Sequence, residues 1–86
     1  MRILFTRRFQ RAYLNLTLGD AERTRKALGF MGDDLRHPGL QVKKVQGTEN
    51  IWEARAGLVI RITFEIKEDA MILRNVGRHD EALKKP

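Results

Sequence analysis

The chain has no cysteine, which excludes a disulfide framework and any thiolate metal site. A reducing compartment, the cytoplasm, is the expected location. Histidine occurs only as His37 and His79, and the carboxylates are scattered. No metal site and no cofactor are therefore expected. Long apolar runs are missing too. Met1-Arg2-Ile3-Leu4-Phe5 is too short for a signal peptide, and no later stretch approaches the roughly 20 apolar residues of a membrane span, so no membrane partner is expected. Neither a glycine-rich phosphate loop nor a nucleophile elbow is present, and no repeat or low-complexity segment interrupts the chain.

What is there is a short, charged, globular composition: 86 residues, 42% apolar and 33% charged. A single domain over residues 1–86 is expected, burying roughly 60–65% of its unfolded surface. The net charge is +6, and it is unevenly spread. Residues 1–47 hold 10 Lys and Arg against 4 Asp and Glu, whereas residues 48–86 hold 7 of each. A basic surface of this kind suits nucleic acid or an acidic protein partner.

Periodicity divides the chain near Gly39. Before it, Ile3 to Phe5 is a short strand candidate. Thr6 can cap a helix starting at Arg7, with Phe9, Ala12, Tyr13 and Leu16 at helical spacing. Thr17, with Asp20 three residues on, resembles a capping box for a second helix over about Leu18 to Leu35. That helix would bury Ala21, Thr24, Leu28, Met31 and Leu35, and His37-Pro38-Gly39 would end it. Beyond Gly39 the period becomes two, predicting strands at about Leu40–Gln46, Ile51–Ala56, Leu58–Lys67 and Ala70–Val76. Their short connections imply antiparallel neighbours. The expected fold is α+β: two N-terminal helices packed on one face of an antiparallel meander of about four strands. The tail from Arg78 is expected to be a short helical turn or loose.

The run from Leu58 to Ile66 places Leu58, Ile60, Ile62, Phe64 and Ile66 on one face and Arg61, Thr63 and Glu65 on the other. Arg61 reads either as a solvated arginine on the open side of the sheet or as a guanidinium aimed at a phosphate, which its planar fork suits. His79 lies just past the last strand and can exchange a proton near neutral pH. Glu53 and Arg55 are in phase with each other, opposite Trp52 and Ala54. Trp52 either packs in the core or stacks on a base. Lys43 and Lys44 point to opposite faces, so only one can join a functional surface, the other lying at an edge. Arg78 adds charge next to His79, and His37 is either a loop residue or part of a site.

His37-Pro38-Gly39-Leu40, Ile51-Trp52-Glu53-Ala54-Arg55, Arg61-Ile62-Thr63-Phe64 and Ile72-Leu73-Arg74-Asn75-Val76-Gly77-Arg78-His79-Asp80 together resemble the RelE/ParE superfamily of toxins from toxin–antitoxin systems. The likeness spans the chain but is specific only from about His37 onward. It implies a metal-independent endoribonuclease that cuts messenger RNA in the ribosomal A site and is held by a cognate antitoxin. By the same resemblance Arg61 would bind the scissile phosphate and His79 would act as general acid. Arg55 would assist, as would Arg78, and His37, Lys43 and Lys44 would contact RNA. A ParE-like toxin that inhibits DNA gyrase and hydrolyses nothing is the alternative it implies. The chain departs from the pattern at Glu53, where RelE-like toxins carry lysine, and at Leu58 or Val59, where YafQ-like toxins carry aspartate. The general base is thereby left open among Glu53, His37 and one of Lys43 and Lys44.

Overall fold

The computed structural model describes residues 1–86. Strand β1 (Arg2–Phe5) leads into helix α1 (Arg7–Leu14) and helix α2 (Leu18–Asp33). Strands β2 (Lys43–Lys44), β3 (Trp52–Ala56), β4 (Ile60–Lys67) and β5 (Ala70–Arg78) follow, and helix α3 (His79–Lys84) closes the chain. The sheet order is β1-β5-β4-β3-β2. The expected antiparallel meander is present as β2 to β5, and β1 joins it in parallel beside β5. That placement follows from the two helices, which carry the chain from β1 across one face of the sheet.

Both helix starts are set by threonine. Thr6 Oγ1 accepts from the Phe9 amide at 3.0 Å and donates to the Leu73 carbonyl at 2.8 Å, fastening α1 to β5. Thr17 Oγ1 accepts from the Asp20 amide at 3.1 Å, while the Asp20 carboxylate pairs with Arg23 at 3.2 Å. Ala21, Thr24, Ala27 and Met31 form the buried stripe of α2; Leu28 and Leu35 are only half-buried, and Ala27 takes a core place that the sequence pattern did not assign. The helix stops at Asp33, two residues earlier than expected. Asp34 is extended, and its carboxylate accepts from the Arg36 amide at 2.9 Å and from Arg36 Nε at 3.2 Å, which turns the chain away.

The expected strand at Leu40–Gln46 shrinks to Lys43–Lys44. Pro38–Leu40 forms a single 3₁₀ turn, and Gln41 adopts a left-handed conformation at φ 44°, which interrupts extension. Leu40 is buried there as an anchor. On the helix-covered face, Ala54, Ala56, Ile60, Ile62, Phe64, Met71, Leu73 and Val76 meet Phe9, Ala27, Met31 and Leu40. Leu58, expected on that face, is 87% exposed because it lies in the turn before β4.

The opposite face was expected to be open, and it is covered. Helix α3 folds back over β4 and β5. Ala82 packs over Gly77, 4.0 Å from where a Cβ would stand, which is ordinary van der Waals contact. Acidic Asp80 and Glu81 in the first turn and Lys84 in the last match the helix dipole. No helix is long and apolar enough to cross a membrane.

Candidate active cleft and a buried arginine

Glu53 lies opposite Lys43 on β2 and opposite Thr63 on β4, so all three share the α3-covered face. At the edge of that cover a cleft of about 480 Å³ opens, lined by Lys43, Lys44, Val45, Gln46, Glu53, His79 and Leu83. Glu53 reaches it from below with a buried side chain. His79, the first residue of α3, reaches it from above. Its backbone N–H donates to the Val59 carbonyl at 2.7 Å, which ties the helix start to the turn before β4. Its ring is 55% exposed, with Nδ1 3.1 Å from Asp80 Oδ1. The contact to Asp80 engages Nδ1 and leaves Nε2 free for other work.

Lys43 is the lysine on the cleft's face. Lys44 borders the cleft, but its ammonium sits 5.6 Å from the Trp52 ring on the other side of the sheet. Trp52 itself is half-buried and packs against the core, which accounts for its place.

Arg61 corrects the reading of a solvent-facing guanidinium. Its side chain is only 6% exposed, on the face beneath α3. Nη1 donates to the Leu58 carbonyl at 3.2 Å and the Ile60 carbonyl at 3.0 Å, clasping the turn before β4. Nε lies 3.8 Å from Glu53 Oε1, too far for a hydrogen bond, and it has no partner. Burial lowers the Arg61 pKa from its ordinary value; neighbouring Arg55 lowers it further, and Glu53 opposes both. The guanidinium stands beside the cleft and is almost wholly covered.

The remaining candidates lie elsewhere. Arg55 pairs in register with Arg61 and borders a separate cavity of about 300 Å³ with Arg23, Lys26, Phe30 and His37. The His37 ring stacks on Phe30 with centroids 4.2 Å apart, and Nδ1 accepts from the Gly39 amide at 3.2 Å, so this histidine shapes the turn after α2. Arg78 lines a third cavity with Asn15, Thr17, Asp20 and Glu81. The structure thus gathers Glu53, His79 and Lys43 in one cleft, with Lys44 at its border and Arg61 beneath the cover; Arg55 stands opposite Arg61 in register but outside the cleft lining, and His37 and Arg78 line other cavities. Gln46, Val45 and Leu83 line the cleft without having been singled out. Leu83 had a usable signal in the acid-first, base-last pattern from Asp80 to Lys84, which favours a helix.

No family model matches the chain, and no curated protein matches it. Solved structures do. A copper-bound mutant toxin from Helicobacter pylori superposes with TM-score 0.77 at 19% identity, covering 94% of this chain and 97% of that one. The toxin of a RelB–RelE antitoxin–toxin complex from Methanococcus jannaschii gives TM-score 0.75 at 22% identity, over 91% and 92%. YafQ from Escherichia coli gives TM-score 0.76 at 10% identity, over 94% and 97%. The chain has the fold of the RelE-like toxins.

Proposed function

We propose that the chain is the toxin of a toxin–antitoxin pair and acts as a metal-independent endoribonuclease on messenger RNA at the ribosome. The observation that carries this reading is the convergence of an exposed imidazole, a buried carboxylate and a lysine on one cleft: His79, Glu53 and Lys43. Cleavage of RNA without a metal requires a base for the 2′-hydroxyl proton, a cation for the charge developing on phosphorus, and an acid for the departing 5′-oxygen. We assign Glu53 as the base, Lys43 as the cation and a protonated His79 as the acid. His37 lines another cavity, which speaks for Glu53 over His37 as the base. The fold shared with RelB-bound RelE supports a cognate antitoxin as partner. The test is ribosome-dependent cleavage of a defined messenger. His79→Ala should slow it by about 10²–10⁴-fold at unchanged ribosome affinity; parental rates would remove His79 from the chemistry.

One observation favours a second reading. Arg61, the residue the resemblance assigns to the scissile phosphate, is buried, and a toxin that binds without hydrolysing needs no such group exposed. A solved YoeB/ParE toxin from Agrobacterium tumefaciens shares the fold with TM-score 0.69 at 15% identity. Induction in growing cells separates the two. Immediate arrest of protein synthesis supports RNA cleavage, and a DNA-damage response without such arrest supports inhibition of gyrase.

A further inference from the structure

The two residues of β2 send one cation to each face of the sheet. Lys43 pairs in register with Glu53 on the side of the cleft, and Lys44 pairs with Trp52 on the other. β2 is the last strand of the sheet, so a strand of nucleic acid leaving the cleft meets Lys44 at an open edge. Past that edge lies a second cavity, of about 440 Å³, walled by Trp52 and Ile66 of the sheet and by the loop from Leu35 to Val42. It exists because α2 stops at Asp33. Trp52 and Ile66 share a face with Phe64, which is completely buried, whereas Ile66 stays 40% exposed. No residue of α1 or α2 lines the cavity, and no carboxylate does.

The walls select a ligand. Trp52 is half-buried, and the Lys44 ammonium stands over its ring, 5.6 Å from the centroid. A ring face that carries a cation is turned to water rather than packed on hydrocarbon, and it can take a flat partner in the cation's place. Ile66 and Val42 supply apolar contact around such a partner. Gln41 offers the one side-chain amide, a donor and an acceptor for the partner's edge. Arg36 is already held by Asp34 at 3.2 Å, so the free charge beside the ring is that of Lys44. A flat group with a hydrogen-bonding edge and an attached anion is a nucleotide. An acidic peptide would meet the charge without needing the ring face.

We propose that this cavity binds one base of the RNA strand by stacking on Trp52, with Lys44 moving from the ring to that nucleotide's phosphate. The ligand class rests on the RNA-directed reading above. The base sits across the β2 edge from Glu53 and His79, so it anchors the strand and takes no part in proton transfer.

Trp52 is the only tryptophan, so its fluorescence reports this cavity alone. The experiment titrates a short 2′-O-methyl oligoadenylate, which cannot be cut through its 2′-oxygen, into the full chain without ribosomes. Stacking should quench Trp52 emission to saturation. An abasic strand of equal length should bind through its phosphates and leave the emission unchanged. Trp52→Leu keeps apolar volume and removes the ring. It should weaken binding of a fluorescein-labelled strand about tenfold with an unchanged salt slope, whereas Lys44→Gln should reduce that slope by about one. Unchanged emission at saturating strand overturns the proposal. Equal quenching by the abasic strand or by polyglutamate overturns it too, as does parental affinity in Trp52→Leu. The quenching arm uses the parental chain and stands whether or not Trp52→Leu folds. The nuclease reading is judged separately. Cleavage of messenger on ribosomes without quenching overturns the base site alone, and quenching without cleavage upholds the base site and overturns the nuclease.

Discussion

On one face of the sheet Ile60, Ile62, Phe64, Met71 and Leu73 are shut away by two helices of ordinary length; on the other, Glu53, Arg61 and Thr63 are shut away by the six residues of α3. Burial is almost equally complete on both faces, but the chemistry beneath differs. The first face hides hydrocarbon, and burying each large side chain contributes about 1.5–3 kcal/mol. The second hides a carboxylate, a guanidinium with an unmet hydrogen bond and a hydroxyl, all of which lose hydration when covered. A cover over hydrocarbon is held by what it buries. A cover over charge must be fastened at its ends, and α3 is: at its start by the His79 amide on Val59, and at its finish by Arg8, Thr63, Arg74 and Asn75 on residues 85 and 86. The first face is the framework, and the second depends on those end contacts to stay covered.

The largest expected effect tests the first half of that contrast. Phe64→Ala empties a fully buried position between sheet and helices and should cost about 3–5 kcal/mol in urea unfolding, through lost transfer energy and a cavity. A cost below about 1 kcal/mol would mean that the helix-covered face is not the framework. The second half predicts a smaller loss for a polar change beneath α3. Glu53→Gln keeps the shape and removes the charge that faces Arg61 at 3.8 Å, leaving a buried guanidinium without its counter-charge. The expected cost is about 1–3 kcal/mol. Cleavage should fall with it, because the cleft loses its proposed base. Undiminished cleavage would remove Glu53 from that role.

The same contrast explains how much of the molecule could be read in advance. Hydrocarbon repeats with a period, and the periods located α1, α2 and the meander, including the buried trio Ile60, Ile62 and Phe64. The threonine caps at Thr6 and Thr17 followed from a local rule and are present. Alternation in β4 also correctly put Arg61 and Thr63 on the other face. It could not tell that the face would be covered, because the covering element has only Ala82 buried and carries no apolar stripe long enough to declare itself. Arg61 was therefore read as solvated or ligand-facing, and it is buried beneath α3. The bulge at Arg74 had no local signal, since it arises from pairing between distant strands. Neither His37 nor Arg55 could be assigned to a cavity until the turn at Gln41 and the packing of α2 placed them there. Within the candidate site, residue types were legible, and which of them share a cavity was not.

An ion pair in full solvent provides the control for the buried one. Asp34 and Arg36 are bonded across the turn after α2, and the carboxyl pKa is lowered, first by the Arg36 amide hydrogen bond and then by its guanidinium. The sign follows directly. The folded state holds this proton less tightly than the unfolded chain, whose carboxylate titrates near the ordinary aspartate value of about 3.9. The contribution to stability is fully present above that value and is lost as pH falls through the lower, folded value. Asp34→Asn keeps a hydrogen-bond acceptor and removes the charge, so the decline in melting temperature between neutral pH and acid should become slightly shallower than in the parent. Because the pair is exposed, added salt should narrow the difference between the two proteins, which buried Glu53 and Arg61 would resist. If acid and salt move Asp34→Asn and the parent identically, the turn after α2 is held by the Arg36 amide alone, and charge plays no part in ending that helix.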